Sequence, residues 1–410
     1  MGATGKIVVI SHSFVNEVNQ NRWKKFDGYE VHLIMPKYWE SDWFREKVVF
    51  KPKEVHKGNF HAHTLLATNT KNWNRYFLKG LCKKLKEINP DVIYLLAEER
   101  SLIHHQVYFC KFLYRLKSKI IFFSMNAKGV PYKITKNPLK KLFHFLAFLN
   151  IKKNTTSALV HYPGCLKSLR DGGYDKPIFI QTQVGVDEDI FKKDEKVRAE
   201  YREKLNFKDK LVIGFCGRLS EAKGVDNIIR VFVRLAKRYP NLALLLVGNG
   251  DLREWIKEEV KKHKLEERVY ITGFVNQKEV PNYMNAMDIF VLASKTMPNW
   301  IDTFPLVSVQ AQAVGLPVVA SNSGAIPWQL GDSAKIFKEN DEEDLESKLI
   351  EYIESEKERK EFAKKGQKRS LRYFCHRGMN ENFKKILKQV LSGEFIFHKE
   401  NEEYTQWKAY

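Results

Sequence analysis

Cysteine is scarce and irregularly placed in this 410-residue chain. It has five cysteines, and no two of them form a Cys-x-x-Cys pair; they are Cys82, Cys110, Cys165, Cys216 and Cys375. The odd number and scattered spacing exclude a recognisable zinc-binding pattern and give no sign of a disulfide framework. We therefore expect reduced thiols, mostly in the core, and a cytoplasmic location.

Long apolar runs are also missing. The first apolar stretch, Ile7 to Ile10, has four residues, which is too short for the apolar region of a signal peptide. A myristoylation pattern needs Ser or Thr at position 6, where Lys6 stands. No run approaches the roughly 18 apolar residues of a membrane span. Any membrane contact is therefore expected to be peripheral, on the inner face.

Acidic residues are few in the first half of the chain. Residues 1–190 hold 31 Lys and Arg but 16 Asp and Glu, whereas residues 191–410 hold 39 and 33. Such a positive excess attracts anionic partners: nucleic acid, anionic lipid headgroups or phosphorylated substrates. A Lys-rich or thermophilic source is the plain alternative. Because no nucleic-acid motif is present and the charge is not gathered on one helix or arm, we expect no nucleic-acid partner.

The second half shows a clear α/β rhythm with a glycine-containing loop after its first strand. Leu211 to Phe215 reads as a buried strand, and a helix is expected up to Arg238. Between them lie Gly217, Arg218 and Lys223. Glycine lets the backbone approach a ligand, the helix N-terminus attracts anions, and the two cations add fixed charge. The pattern predicts a diphosphate-binding loop.

The stretch from Trp300 to Trp328 combines a polar turn, a helix, a strand and another loop. Asp302, Thr303, Phe304 and Pro305 form the turn, and a packed helix begins at Leu306. Gly315 ends the helix, and Pro317 opens a short apolar strand. Ligands bind at the carboxyl ends of such strands in open α/β sheets.

Together these motifs resemble family 4 glycosyltransferases, which are retaining enzymes of the GT-B fold. The matching segments are Gly217-Arg218 with Lys223-Gly224, the turn at Gly248-Asn249-Gly250, and the frame from Asp302 to Pro317. The family has Glu at the two positions occupied here by Asp302 and Gln310. Asp keeps the charge one methylene further back, and Gln still accepts a hydrogen bond. The similarity is strong over residues 211–337 and weak before residue 183.

The resemblance implies an α/β fold of two Rossmann-like domains that face a central cleft. The expected boundaries are residues 1–190 for acceptor binding, 191–372 for donor binding, and 373–410 for a C-terminal helix and tail that return to the first domain. It also implies sugar transfer with retention, without metal or cofactor, from a nucleotide-diphosphate sugar to a glycan or lipid-linked acceptor. A non-catalytic member that supports another transferase is the alternative.

The resemblance also assigns roles to residues. Asp302, Asn126, Arg218 and Lys223 are the catalytic candidates, of which Asn126 matches a family position near the anomeric carbon and cannot act as a general base. The residues expected to bind the donor are Gly217, Arg218, Lys223, Gly248, Asn249, Phe274, Val275, Thr303, Phe304, Pro305, Leu306 and Gln310.

The first half offers polar residues at predicted strand ends for an acceptor. His12 and Asn16 follow the first strand, and Glu98 and Glu99 follow the strand that Pro90 opens. Adjacent carboxylates at a strand end are suited to orient an acceptor hydroxyl. The alternatives are a solvated loop at Asn16 and an exposed Glu98–Glu99 pair already neutralised by Arg100.

Two segments of the first half are rich in aromatic and basic residues. Residues 40–75 include Trp43 and Trp73, and a Lys-led aromatic helix is expected over 138–149. Both suit contact with an anionic membrane surface, although a packed β-meander and a core helix explain them equally well. His56, His61 and His63 share no helical face and no carboxylate joins them, so we expect no metal site there.

Overall fold

The computed structural model describes residues 5–41, 48–298 and 300–398. Trp43 of the aromatic segment therefore lies outside the described residues. The chain divides into two compact units, residues 1–184 with 376–410 and residues 185–375, called unit 1 and unit 2 below.

Unit 1 contains twelve of the described strands and seven of the described α-helices. The strands are β1 (Lys6–Ile10), β2 (Glu30–Pro36), β3 (Trp39–Ser41), β4 (Val48–Phe50), β5 (Val55–Lys57), β6 (Phe60–Leu65), β7 (Ala67–Thr68), β8 (Phe77–Leu78), β9 (Val92–Leu95), β10 (Lys119–Ser124), β11 (Ser157–Val160) and β12 (Ile178–Ile180). The helices are α1 (Asn21–Lys24), α2 (Leu81–Ile88), α3 (Leu102–Leu113), α4 (Pro131–Ile134), α5 (Pro138–Asn154), α6 (Pro163–Asp171) and α15 (His376–Ser392).

The main sheet of unit 1 has the order β12-β11-β10-β9-β1-β2-β6-β5. Its strands are parallel except β5, which runs antiparallel to β6. The central strands are short apolar runs because both faces of a parallel sheet are covered. On one face, Leu33 of β2 and Trp23 pack with Phe383 of α15. The C-terminal helix thus completes the core of the first unit, as the fold class predicted.

Unit 2 contains the remaining described strands and helices. The strands are β13 (Leu211–Cys216), β14 (Leu242–Val247), β15 (Val269–Ile271), β16 (Ile289–Leu292), β17 (Val318–Ser321) and β18 (Lys335–Phe337). The helices are α7 (Glu195–Lys204), α8 (Val225–Arg238), α9 (Arg253–Lys262), α10 (Val280–Asn285), α11 (Leu306–Val314), α12 (Ile326–Leu330), α13 (Glu342–Glu354) and α14 (Glu356–Tyr373).

The sheet of unit 2 is parallel throughout, with the order β15-β14-β13-β16-β17-β18. The strand order reverses between β13 and β16, and such a switch point opens a crevice at the carboxyl ends of the strands. Buried apolar residues of α8, including Ile228 and Phe232, pack in the core of this unit. The expected α/β architecture of two Rossmann-like units is confirmed.

One expectation about cysteine chemistry is wrong. Cys82 of α2 and Cys110 of α3 form a disulfide, while Cys165, Cys216 and Cys375 are buried free thiols. The two helices contact each other, which brings together cysteines that are 28 residues apart in the sequence. The odd total of five cysteines did not indicate a disulfide, because one bonded pair is present together with three free thiols.

Candidate functional site

The loops after β13, β14 and β15 in unit 2 are joined by backbone and side-chain hydrogen bonds. The Gly217 amide donates to the Val247 carbonyl at 2.9 Å, and the Leu219 amide donates to the Asn249 carbonyl at 3.0 Å. The Gly248 amide donates to Thr272 Oγ1 at 3.1 Å. The glycines, Asn249 and the segment before Phe274 therefore form one continuous edge of the sheet.

Glycine is required at two points of this edge. Gly248 has a φ of 140°, and a Cβ there would lie 2.0 Å from the Gly217 carbonyl oxygen. Gly224, at the start of α8, has a φ of 65°, and its Cβ would lie 1.8 Å from the Ala293 carbonyl oxygen. The loop after β13 can thus pass tightly against the ends of both β14 and β16 only because these side chains are absent.

Lys223 and Asp302 form the charged centre of this edge. Lys223 Nζ donates to both carboxylate oxygens of Asp302 at 2.9 Å, and it lies 4.5 Å from the centre of the Trp300 ring. The Asp302 carbonyl accepts the Ala325 amide at 2.8 Å, which fixes the turn against the loop after β17. The Asp302 side chain is buried. Lys223 thus holds a carboxylate at the switch point between β13 and β16.

Arg218 differs from Lys223 in its surroundings. Its side chain is exposed, and no ion pair joins it to any of the described residues. It stands at the loop after β13, between Gly217 and the buried Leu219. This guanidinium is therefore available to an anionic ligand without first breaking a salt bridge.

The remaining predicted donor residues surround the same sheet edge. Thr303, Phe304 and Pro305 precede α11, and its N-cap residue Pro305 makes no side-chain capping bond. Leu306 is the first residue of α11, and Gln310 is buried one turn later. Phe274 is 60% exposed and Val275 half-buried beside the end of β15. An exposed aromatic ring next to these glycine turns offers a surface on which a nucleobase can stack.

The carboxyl ends of the unit 1 strands bring together a second polar group. Glu99 follows β9 and is buried, and its two carboxylate oxygens accept hydrogen bonds from Ser124 Oγ and Asn126 Nδ2 at the end of β10. Burial raises the pKa of Glu99 to about 7. Asn126 is therefore a partner of a carboxyl group that titrates near neutrality.

Glu98 and Glu99 have different environments. Glu98 Oε2 accepts a hydrogen bond from Arg100 Nε at 2.8 Å, as one alternative proposed. Both side chains, however, are buried rather than exposed. Residues 98 and 99 are adjacent, and the turn after β9 directs one toward Arg100 and the other toward β10.

His12 and Asn16 lie after β1, in two short 3₁₀ helices over His12–Val15 and Glu17–Gln20. The His12 ring lies 5.0 Å from Trp39 and 6.0 Å from Trp73, centre to centre, and burial lowers the pKa of His12 to about 4. Asn16 Oδ1 accepts the Val18 amide at 3.2 Å. Asn16 is thus a helix cap, and His12 is a neutral ring among aromatic residues.

Sequence reasoning missed three participants in these sites. Trp300 covers Lys223, Thr272 joins two of the loops, and Ser124 binds Glu99. Trp300 was detectable as an aromatic residue two positions before Asp302. Thr272 and Ser124 carry no distinguishing sequence signal because their roles depend on which strands are neighbours.

Known proteins share both the sequence pattern and the fold of this site. Residues 197–369 match the model of the family described as glycosyl transferases group 1. A GDP-mannose-dependent α-(1-6)-phosphatidylinositol monomannoside mannosyltransferase of Mycolicibacterium smegmatis is 33% identical over 145 residues, which are 35% of this chain and 38% of that protein. The matched region thus spans well under half the length of this relative.

Solved structures resemble the chain over most of its length. Sucrose-phosphate synthase from Thermosynechococcus elongatus matches 95% of this chain and 100% of its own, with a TM-score of 0.67 and 16% identity. Anabaena HepE, solved with UDP, matches 94% of this chain and 100% of its own, with a TM-score of 0.65 and 14% identity. At such identities these matches establish the fold alone. The chain has the GT-B fold, and its residues 197–369 are similar to the glycosyl transferases group 1 family.

Proposed function

We propose that the protein is a retaining, metal-independent glycosyltransferase that moves a sugar from a nucleotide-diphosphate donor to a glycan or lipid-linked acceptor. The observation that carries this proposal is that exposed Arg218 lies on the same glycine-containing loop of unit 2 as Lys223, which is paired with Asp302. The similarity of residues 197–369 to the glycosyl transferases group 1 family supports it independently.

The donor diphosphate is proposed to bind along the loop after β13. Arg218 offers a bidentate contact to phosphate oxygens, and the N-terminal ends of α8 and α11 add the favourable end of their helix dipoles. As the bond to the sugar breaks, negative charge grows on the diphosphate, and fixed cations stabilise it. Arg218 and Lys223 carry the charge that a metal ion supplies in other transferases.

The sugar ring is proposed to lie at Asp302. Its carboxylate is held by Lys223, and its backbone carbonyl accepts the Ala325 amide, so the carboxylate accepts hydrogen bonds from sugar hydroxyls without reorganising. The nucleoside would then extend toward Gly248 and Phe274, with Gln310 accepting one hydrogen bond as a neutral group. Retention is proposed to follow front-face attack by the acceptor, with no enzyme base.

Acceptor binding is proposed for the strand ends of unit 1. Glu99 is held by Ser124 and Asn126, and Glu98 is held by Arg100. His12, its surrounding aromatic rings and Asn16 would provide the adjacent surface. Planar rings beside carboxylates suit the faces and hydroxyls of a glycan.

An anionic bilayer is proposed as a further partner of unit 1. One face of α5 exposes Leu139, Leu142, Phe143, Leu146 and Leu149. Asn150 of α5 hydrogen-bonds His105 of α3 at 2.7 Å, and α3 itself exposes Phe109, Phe112 and Leu113. Exposed apolar residues on two adjacent helices mark an interaction surface.

The charges around this apolar surface indicate which kind of partner it binds. The sequence has no Asp or Glu between Arg100 and Asp171, and exposed Lys136, Lys140 and Lys141 pair with no carboxylate among the described residues. Apolar side chains beside unpaired lysines fit an anionic lipid surface better than a neutral or basic protein. Among the described residues, no helix has the length and apolar content of a membrane span.

A thermal-shift screen with UDP, GDP, ADP and their common sugars in EDTA tests the donor site. A ligand at 100 times its Kd adds about 2.7 kcal/mol to the stability. We expect one nucleotide class to stabilise the wild type, Arg218→Ala to lose the shift, and the control Arg372→Ala to keep it. No shift with any nucleotide would instead favour a non-catalytic member that supports another transferase. Anomeric analysis of the product by NMR then tests retention.

Co-flotation with lipid vesicles tests the membrane contact separately. At about 150 mM salt, the protein should float with vesicles that contain phosphatidylglycerol but not with vesicles of pure phosphatidylcholine. In a separate binding assay at the same salt concentration, it should not bind duplex DNA. The pair Lys140→Glu and Lys141→Glu should weaken flotation more than 10-fold, since each lysine contributes about 1 kcal/mol. The control is a double variant of unit 2, Lys364→Glu with Lys368→Glu, which changes the net charge by the same amount at exposed positions. This control should float as the wild type does.

A further inference from the structure

One face of the unit 1 sheet carries four histidines and a glutamate on three neighbouring strands. Glu30 and His32 lie two residues apart on β2, His61 and His63 lie two residues apart on β6, and His56 lies on β5. The register pairs His32 with His61 and His56 with His61. Since residues two apart share a face, all five side chains project from the same side.

Three of these side chains converge on one point. His32 Nε2 lies 2.8 Å from Glu30 Oε1, and His61 Nε2 lies 3.8 Å from the same oxygen. One ligand atom from each of the three residues lies within 4.8 Å of the others. Ligand atoms of a tetrahedral zinc ion are about 3.3 Å apart, given bonds near 2.0 Å. Shifts of roughly 1 Å, mainly in the partly exposed side chains of Glu30 and His61, therefore complete the geometry around buried His32.

The other two histidines hold the rings of the first two in place. His32 Nδ1 lies 3.0 Å from His63 Nε2, and His61 Nδ1 lies 3.2 Å from His56 Nδ1. In both cases the nitrogen turned away from Glu30 is the one that has a histidine partner. Metal-binding histidines characteristically donate their second ring N–H to an acceptor, which fixes the tautomer, and the unprotonated nitrogen of a neutral imidazole can accept such a bond.

We propose that Glu30, His32 and His61 bind one Zn²⁺ ion, with His63 and His56 as the hydrogen-bonding partners of the two ligating rings. Imidazole and carboxylate ligands suit zinc, and three protein ligands leave one coordination position for water. The ion replaces the proton shared between His32 and Glu30. It ties β2 to β6 near the edge of the sheet.

Nearby charges set the strength of the site. Lys6 Nζ lies 3.6 Å from Glu30 Oε2 and opposes a cation, as does Lys84 near His63. The binding site is separate from the proposed donor site and does not depend on the proposed function.

The sequence argument against a metal site at these histidines considered a shared helical face and found no carboxylate nearby. The residues lie on strands instead, and parallel pairing with β2 supplies both Glu30 and a fourth histidine from about 30 residues earlier.

Zinc titration of chelator-treated, full-length protein by calorimetry tests the proposal. We expect saturable binding of one Zn²⁺ per chain, a rise in melting temperature, and a visible absorption band of tetrahedral coordination when Co²⁺ replaces Zn²⁺. His61→Gln and Glu30→Gln, at partly exposed positions that tolerate substitution, should lose this binding. His263→Gln, a partly exposed histidine of unit 2, is the matched control and should bind as the wild type does.

Two further variants separate a metal site from a structural histidine cluster. His63→Gln should weaken Zn²⁺ binding by about 10–100-fold, as loss of an outer-shell partner does. Lys6→Gln should tighten it, because a competing cation is removed. Absence of saturable Zn²⁺ binding by the wild type, or unchanged binding by His61→Gln with native circular dichroism, would overturn the proposal.

Discussion

Lys223 Nζ is equidistant from the two carboxylate oxygens of Asp302, at 2.9 Å each, although the residues are 79 positions apart. Two groups that the sequence suggests as separate contacts for diphosphate and sugar are thus one ion pair. Lys223 is also in contact with the Trp300 ring. Each member of the pair therefore positions the other, and loss of either one leaves a largely buried charge without its partner.

A double-mutant cycle at this pair measures the coupling. Lys223→Met and Asp302→Asn are each expected to lower the free energy of unfolding by about 2 kcal/mol, since each leaves a charged partner without its hydrogen bonds. The double variant should lose less than the sum, with a coupling of about 1–2 kcal/mol. Urea unfolding of the four proteins checks this, and strictly additive losses would show that the pair contributes nothing.

Gly224→Ala is expected to be far more destabilising than an ordinary glycine substitution. The new Cβ would overlap the Ala293 carbonyl oxygen, and the backbone φ of 65° adds strain. Gly28 has a similar φ of 80°, and a Cβ added there would have nothing within 4 Å, so Gly28→Ala isolates the backbone contribution.

Urea unfolding should show a loss of about 1 kcal/mol for Gly28→Ala and more than about 3 kcal/mol for Gly224→Ala. Nucleotide binding should also fall in Gly224→Ala, because the loop that carries Lys223 must move away from β16. Equal losses in the two variants would mean that the contact with Ala293 relaxes without cost.

The sequence predicted the elements of unit 2 closely because buried parallel strands are continuous apolar runs. The expected strand Leu211–Phe215 is β13 with one residue added, and the glycine loops fall at strand ends as expected. In unit 1 the helix expected over 138–149 continues to Asn154, since nothing between Leu149 and Asn154 breaks it. The local pattern of apolar residues was sufficient to predict helices and strands wherever these are determined by residues near in sequence.

The features that the sequence did not predict all depend on strand pairing or helix contact. Glu99 meets Asn126 because β9 and β10 are neighbours, and Glu30 meets His61 through the register of β2 and β6. Cys82 meets Cys110 because α2 packs on α3. A single sequence carries no direct record of such pairings, and one shift of register would place these side chains on opposite faces.

Glu99 should make the stability of unit 1 depend on pH. Burial raises its pKa from 4.5 to about 7, so between these values the native state holds a proton that the unfolded chain has released. This stabilisation is complete below pH 4.5 and is lost as the pH rises through about 7. Glu99→Gln removes the titration and keeps an amide that can bind Ser124 and Asn126.

The free energy of unfolding should be measured from pH 4.5 to about pH 8. Over this range, Glu99→Gln should become more stable relative to the wild type by about 3 kcal/mol, because a difference of one pKa unit corresponds to about 1.36 kcal/mol. Glu17→Gln removes an exposed carboxyl and serves as the control, with a nearly constant difference from the wild type. A pH-independent difference for Glu99→Gln would show that this carboxyl titrates at its ordinary value.

The disulfide between Cys82 and Cys110 should stabilise unit 1 by about 3–4 kcal/mol, the value expected for closing a loop of this length in the unfolded chain. Alkylation of the unfolded protein without reductant should label three thiols, and with reductant five. Reductant should lower the melting temperature of the wild type but leave the Cys82→Ser and Cys110→Ser double variant unchanged. Five labelled thiols without reductant would show that the pair is not oxidised.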